Sequence, residues 1–257
     1  MPNGSVDVHL VRPGETRSYA ADVGLTARGE GQCRRRGLHV AEELGDGEHV
    51  RLLWAPSVRA ARTVDEVRSG LVDGLAGTGR RATVGDPEPA PWFRNFDVWA
   101  PSGPREPTQA WREYEATLRN GGSHEAPGLA PIWLLEMDRF WQMESEQDDP
   151  IGLWMTVPLL TFEPPGSVLQ RVWTGLLELA RSDRPGDHAV CCTHSGPMRA
   201  FSKAVFGEDV GDPGNGEELR VRLDAPFEEA TVTFRGLTRR VPVPRPDGEP
   251  PARWPHS

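Results

Sequence analysis

The chain has 257 residues, with 29 Lys+Arg against 38 Asp+Glu and a formal net charge of -9. That length accommodates one α/β domain or two small ones with a sizeable core, while an acidic chain without a basic block argues against nucleic acid as a partner. The longest apolar stretches, such as Ile151–Phe162, are interrupted by Pro and Gly and fall short of the roughly 20 residues a membrane span requires, so no membrane partner is expected either.

Ser5–Val11 reads as a short buried strand ended by Pro13-Gly14. Thr26 is a good N-cap for a helix to about Leu44, with Cys33, Leu38, Val40, Ala41 and Leu44 as apolar positions. Val50–Trp54 is a second strand, Pro56 opens a helix to about Leu71, and Ala82–Val84 is a third, short strand. This alternation predicts a parallel sheet covered on both faces. From Asp86 to about Pro164 the pattern changes. Pro and Gly cluster at 86–107 and 121–131, with helices at about 108–119 and 132–146, as expected of a lid inserted over the sheet. A helix over Ser167–Ser182, a buried strand Asp187–Thr193, a helix Pro197–Val205 and edge strands Glu218–Leu223 and Ala230–Phe234 follow. The expected fold class is a three-layer α/β/α sandwich with a mostly parallel central sheet and a helical, Trp-rich lid. A single domain is placed over 1–245, and the Pro-rich segment from 241 runs into a tail over 246–257 that is extended or disordered.

Cys33, Cys191 and Cys192 form neither a disulfide framework nor a CxxC metal site, and MPNGSVDVHL lacks the features of a secretory signal. A reducing cytoplasm is therefore the expected location. One lysine, 28 Gly and 25 Pro suit a GC-rich bacterial coding sequence. There is no Gly-x-Gly-x-x-Gly after a strand, no P-loop and no metal-ligand spacing, so neither cofactor nor metal is expected. His9, in mid-strand, and the adjacent Cys191 and Cys192, on opposite strand faces, read as core.

The chemistry gathers at the strand ends: Arg12-Pro13-Gly14-Glu15-Thr16, then Leu25-Thr26 with Gly29 and Gln32; Ala55-Pro56-Ser57-Val58-Arg59-Ala60-Ala61-Arg62-Thr63; and Thr193-His194-Ser195-Gly196. Open α/β sheets place ligands at the C-terminal ends of parallel strands. Two arginines and a histidine converging there make an anion pocket. The alternative for Arg12 and Arg59 is a structural ion pair with Glu15 or another carboxylate, and for His194 a satisfied core position.

These stretches, over roughly 5–70 and 185–206, resemble the histidine phosphatase superfamily, which includes the phosphoglycerate mutases. Its members carry Arg-His-Gly-Glu at the first strand end, Leu-Thr-x-x-Gly-x-x-Gln, Ser-Pro-x-x-Arg-Ala-x-x-Thr and a late His-Gly or His-Ser-Gly turn. The resemblance implies that Arg12, Arg59 and His194 are phosphate-pocket positions, and these are the catalytic candidates. Glu15, Thr16, Thr193 and Ser195 beside them, with Trp92 and Trp99 of the Trp-rich lid region, are the candidate substrate-binding residues. Two departures matter. Pro13 stands where the family's nucleophilic His stands, and proline offers neither a side-chain nucleophile nor an N–H. In the stretch where the family places a Glu or Asp general acid, alignment on Trp99 puts Phe93 at the acid position, although Asp97 could still reach the pocket.

Six of the nine tryptophans (Trp92, Trp99, Trp111, Trp133, Trp141 and Trp154) lie in the lid region. They serve either as anchors of a small helical lid or as an aromatic wall. On the 132–146 helix, Glu136 and Asp138 do not share a face, so at most one points inward. His124 is a solvated loop residue or a lid base.

Three readings follow. The first is a repurposed enzyme that binds a small anionic, aromatic molecule and carries out decarboxylation, cyclisation, dehydration or isomerisation in specialised biosynthesis. The second is a non-catalytic pseudophosphatase that binds a phosphorylated or carboxylated ligand. The third is a phosphatase or mutase with a substitute nucleophile. The oligomeric state is open between monomer and homodimer.

Overall fold

The computed structural model describes residues 4–18, 22–119, 131–182 and 187–244. Both His124 and the tail over 246–257 lie outside the described residues. In chain order the elements are β1 (Ser5–Val11), α1 (Ala27–Glu43), β2 (His49–Trp54), α2 (Val58–Thr78), β3 (Thr83–Pro89), a 3-10 turn (Pro91–Phe93), the hairpin β4 (Val98–Ala100) and β5 (Gly103–Arg105), α3 (Pro107–Arg119), α4 (Ile132–Gln147), α5 (Pro150–Thr156), α6 (Pro165–Ser182), β6 (His188–Cys192), α7 (Ser195–Phe206), β7 (Glu218–Asp224), β8 (Glu229–Phe234) and β9 (Leu237–Pro242).

Seven strands form one sheet in the order β3-β2-β6-β1-β7-β8-β9. β3, β2, β6 and β1 are parallel, and β7, β8 and β9 continue antiparallel to their neighbours. The alternation of side chains along the central strands divides the core between two faces. Val11, Val50, Leu52, Val190 and Cys192 pack with α1 and α2, whereas Val8, Leu10, Leu53, Ala189 and Cys191 pack with α6 and α7. The two adjacent cysteines thus serve opposite faces as small apolar side chains. The result is a three-layer α/β/α arrangement with a helical layer over one end.

Five elements differ from the expected pattern. β3 runs on through Pro87 and Pro89, which an edge strand accommodates because its outer N–H row has no partner. The hairpin β4–β5 and the seven-residue α5 are too short to leave a periodic signature. α5 is instead marked by Pro150 at its first turn and by Asp149, whose side chain accepts from Gly152 N. β9 carries the sheet into the Pro-rich segment that begins at 241.

α1 and α2 approach through glycines. A Cβ at Gly70 would lie 2.0 Å from Arg34 O, and one at Gly37 would lie 2.1 Å from Val67 O. Backbone on both sides leaves nowhere for a methyl to go. Gly70→Ala is expected to destabilise the protein by about 1–3 kcal/mol. Gly77→Ala, in open space on the same helix, is expected to stabilise it by about 0.5 kcal/mol. Urea unfolding midpoints of the two variants check the contrast.

Candidate functional site

The parallel register aligns the ends of three strands. Val11 pairs with Cys192, and Cys192 with Trp54. The next residues stay joined, since Thr193 N donates to Val11 O (2.9 Å) and Ala55 N to Cys192 O (2.8 Å). Because β6 lies between β1 and β2, His194 emerges between Arg12 and the start of α2, which carries Arg59. The loop after β1 is pressed onto α1: a Cβ at Gly14 would sit 2.4 Å from Gly29 O, and one at Gly29 would sit 2.2 Å from Glu15 O. Thr26 caps α1 through Gly29 N (3.0 Å), and Glu15 N donates to Gln32 Oε1 (2.9 Å). The Leu-Thr-x-x-Gly-x-x-Gln stretch therefore holds the arginine loop against the first helix.

Arg12, Arg59 and His194 line one cavity of about 510 Å3, within the range of small-molecule sites. The Arg12 guanidinium donates to Pro213 O, and among the described residues no carboxylate lies within ion-pair distance of it. Arg59 is engaged on two sides, by Asp22 Oδ1 at 3.4 Å and Glu106 Oε1 at 2.5 Å. The ion-pair alternative raised by the sequence therefore holds for Arg59, with these two partners and not Glu15. Asp22 also accepts from Val58 N (2.7 Å) and Arg59 N (3.2 Å), the open N–H groups of α2. Glu106 accepts in addition from Asn95 Nδ2 and from Thr108 N, both at 2.9 Å. His194 is 4% exposed. Its Nε2 lies 3.0 Å from Ser57 Oγ, and its Nδ1 is buried without a hydrogen-bond partner among the described residues. Burial, with the charges of Arg59, Arg12 and Arg171, holds its pKa well below the usual histidine value. The ring is accordingly a neutral imidazole at pH 7.

The floor also contains Pro13, Gly14, Thr16 and Ser195. Glu15, Thr193, Trp92 and Trp99, expected to contact the ligand, do not line the cavity. Glu15 turns to α1, where its Oε1 accepts from Thr26 Oγ1 at 2.9 Å. Thr193 is buried and donates to Phe93 O at 2.6 Å. Trp92 and Trp99 are 45% and 46% exposed. β4 alternates, so Val98 points into the cavity and Trp99 away from it. Phe93, at the aligned acid position, is in the core. Asp97 pairs with Arg94 at 2.9 Å and does not reach the cavity.

The aromatic wall comes from other residues. Trp111 and Trp141 meet with ring centroids 4.1 Å apart, and Phe140, Phe162 and Phe96 continue the surface. Trp133 and Trp154 are core anchors; the latter stacks on Phe96 at 4.2 Å. Anchor and wall are thus both true of the lid tryptophans, residue by residue. Glu136 is buried with Oε2 accepting from Leu160 N, while Asp138 accepts from Tyr114 Oη; neither lines the cavity, although Glu144 does. The helical spacing 137-140-141-144 shares one face and was the available signal for this wall. Glu106 before Pro107, an acidic cap ahead of a first-turn proline, was the available signal for the wall carboxylate.

No protein-family model and no curated protein sequence matches the chain. Solved structures do resemble it. Bacillus stearothermophilus YhfR superposes with a TM-score of 0.53 at 16% identity, covering 90% of this chain and 96% of that one. A mycobacterial glucosyl-3-phosphoglycerate phosphatase, solved with VO3, gives 0.44 at 17% identity over 85% of this chain and 92% of its own. The chain shares the three-layer α/β fold of that Bacillus protein.

Proposed function

We propose that this chain is an enzyme that keeps the anion pocket of its fold without phosphohistidine chemistry, and that it acts on a small aromatic monoanion by a non-phosphoryl reaction. That class covers decarboxylation, cyclisation, dehydration and isomerisation. The observation that carries the reading is Pro13 in the cavity wall beside Arg12, Arg59 and His194. The position that would carry a phosphoryl group by resemblance has no nucleophile. Charge supports a monoanion. Glu106 already occupies Arg59, and Glu144 and Asp212 also line the cavity, so a phosphate dianion would enter among three carboxylates. Arg12 is left to grip one carboxylate or enolate oxygen pair. The apolar wall supports an aromatic body and keeps water out while charge moves.

Benzoate and phenyl phosphate are suitable probes. Saturating benzoate is expected to raise the melting temperature by about 5–10 °C at 100 times its Kd, and Arg12→Ala to weaken its binding about 10- to 100-fold. p-Nitrophenyl phosphate is expected to give no turnover above blank with wild type or Pro13→His. Hydrolysis of that ester by wild type, or stabilisation by phenyl phosphate alone, overturns the reading. One observation favours a second reading, a binding module without turnover: Arg59 is clamped between Asp22 and Glu106. Calorimetry with a panel of aryl carboxylates, followed by product analysis of the same samples, separates the two.

A further inference from the structure

We infer that Ser57 is a positioning residue that fixes His194 as the Nδ1–H tautomer, so that the imidazole meets its ligand as a neutral hydrogen-bond donor to an oxygen. The tautomer assignment stands on the unliganded site; its use toward a ligand rests on the proposed function.

Ser57 is the N-cap of α2, and its Oγ accepts from Ala60 N at 3.3 Å. The cap fixes where the hydroxyl sits. Its second neighbour is His194 Nε2 at 3.0 Å. A serine hydroxyl has one proton and two lone pairs. With the Ala60 N–H on one lone pair, donation of that proton to Nε2 satisfies serine and ring together. If Nε2 carried the proton instead, two donors would point at Oγ. The hydroxyl hydrogen would then have no described acceptor, in a residue only 8% exposed. Burial and the neighbouring arginines keep the ring neutral, so only one of its nitrogens is protonated. The proton is then on Nδ1.

That nitrogen is the buried group without a partner. His194 lines the cavity and Ser57 does not, and Nδ1 itself has no exposed surface in the unliganded site, so a ligand oxygen must displace part of the wall to reach it. Among the described residues no carboxylate contacts His194. An imidazole that takes a proton is usually steadied by such a carboxylate, which stabilises the cation. Here three arginines oppose the cation, and donation to a carboxylate or carbonyl oxygen is the role left to the ring. The buried N–H is costly to leave unmade, so a ligand oxygen beside Arg12 completes it.

The test is the long-range 1H–15N spectrum of 15N-histidine protein at pH 7, with His194→Gln identifying the His194 signals. Wild type is expected to show a protonated Nδ1 and an unprotonated Nε2. Ser57→Thr keeps the hydroxyl and should keep the pattern. Ser57→Gly, tolerated at an N-cap at small cost, should shift the ring toward the Nε2–H form and weaken benzoate about fivefold. An Nε2–H ring in wild type, or the wild-type pattern in Ser57→Gly, overturns the inference. Failure of wild type to bind benzoate overturns the proposed function and leaves the tautomer reading intact.

Discussion

Arg199→Ala is expected to lower the stability of the protein by about 3 kcal/mol at pH 7, a fall of roughly 6–12 °C in melting temperature. Arg199 on α7 is 7% exposed and makes five charge-assisted hydrogen bonds to three aspartates. Its Nη1 and Nη2 meet Asp149 at 2.6 and 2.8 Å, its Nε and Nη2 meet Asp209 at 2.9 and 2.8 Å, and its Nη1 meets Asp212 at 3.0 Å. Asp149 caps α5 and Asp212 lines the cavity, so this one guanidinium ties the lid to the sheet layer at the rim of the site. Removing it leaves three carboxylates facing one another, the costly half of a broken buried pair. The aspartates are partly exposed, which keeps the cost below that of a fully desolvated cluster. The hydrogen bonds from Arg199 hold Asp149 and Asp209 below the usual carboxylate pKa. Their contribution is present above pH 3.8, their ordinary value, and is lost as pH falls through the lowered folded values. The deficit of Arg199→Ala should therefore shrink in acid. Urea unfolding at pH 7 and pH 3 reads both. An equal deficit at the two pH values would show that lost packing, not charge, is what the variant removes.

The parts of this molecule legible in sequence are those whose signals are local. Val6, Val8 and Leu10 alternate, Thr26 caps α1, and Gly14 and Gly29 sit where two backbones meet. From these, β1, β2, β6, α1, α2 and α7 could be placed, and with them the convergence of Arg12, Arg59 and His194. What the ligand-facing wall is made of was not legible from composition. The choice of Trp92 and Trp99 rested on residue type near a motif. Their exposure is decided by the phase of a three-residue strand and by a 3-10 turn, both shorter than any period. Trp111 and Trp141 belong to helices whose spacing does encode a face. Arg59's partners, Asp22 and Glu106, are 37 and 47 residues away in sequence. Only the tertiary fold shows that the cation is answered from within the chain.

The second large effect lies along β1 itself, where His9 meets Glu218 of β7 and His188 of β6. Wild-type stability is expected to fall in two stages on acidification, and Glu218→Gln to remove the second. His9, fully buried, places Nδ1 2.6 Å from Glu218 Oε1 and Nε2 3.0 Å from His188 Nδ1. Arg36 Nη1 meets Glu218 Oε2 at 2.6 Å, and Glu48 faces His188 Nε2 at 3.6 Å. Burial raises the Glu218 pKa. The hydrogen bond and charge of His9, with Arg36 and Arg220, more than offset this and bring it down to about 2 from an ordinary 4.5. A carboxyl lowered that far contributes about 3 kcal/mol. The contribution is fully present above pH 4.5 and is lost as pH falls through about 2. His188 is also lowered, by burial first and then by the charge of His9. The unfolded chain therefore takes up a proton there below about pH 6.5 while the folded chain does not, and stability already declines in that range. Replacing Glu218 by Gln keeps the shape but gives up the charge beside His9 and Arg36. The variant should be about 2–3 kcal/mol less stable than wild type at pH 7 and nearly equal to it at pH 2. Denaturant unfolding across pH 2–8 measures the two limbs. A constant gap between the proteins over that range would mean that Glu218 acts by shape alone; because His194 is lowered as well, His188→Phe should reduce the decline below pH 6.5 without abolishing it, and an undiminished decline would assign that limb to His194 alone.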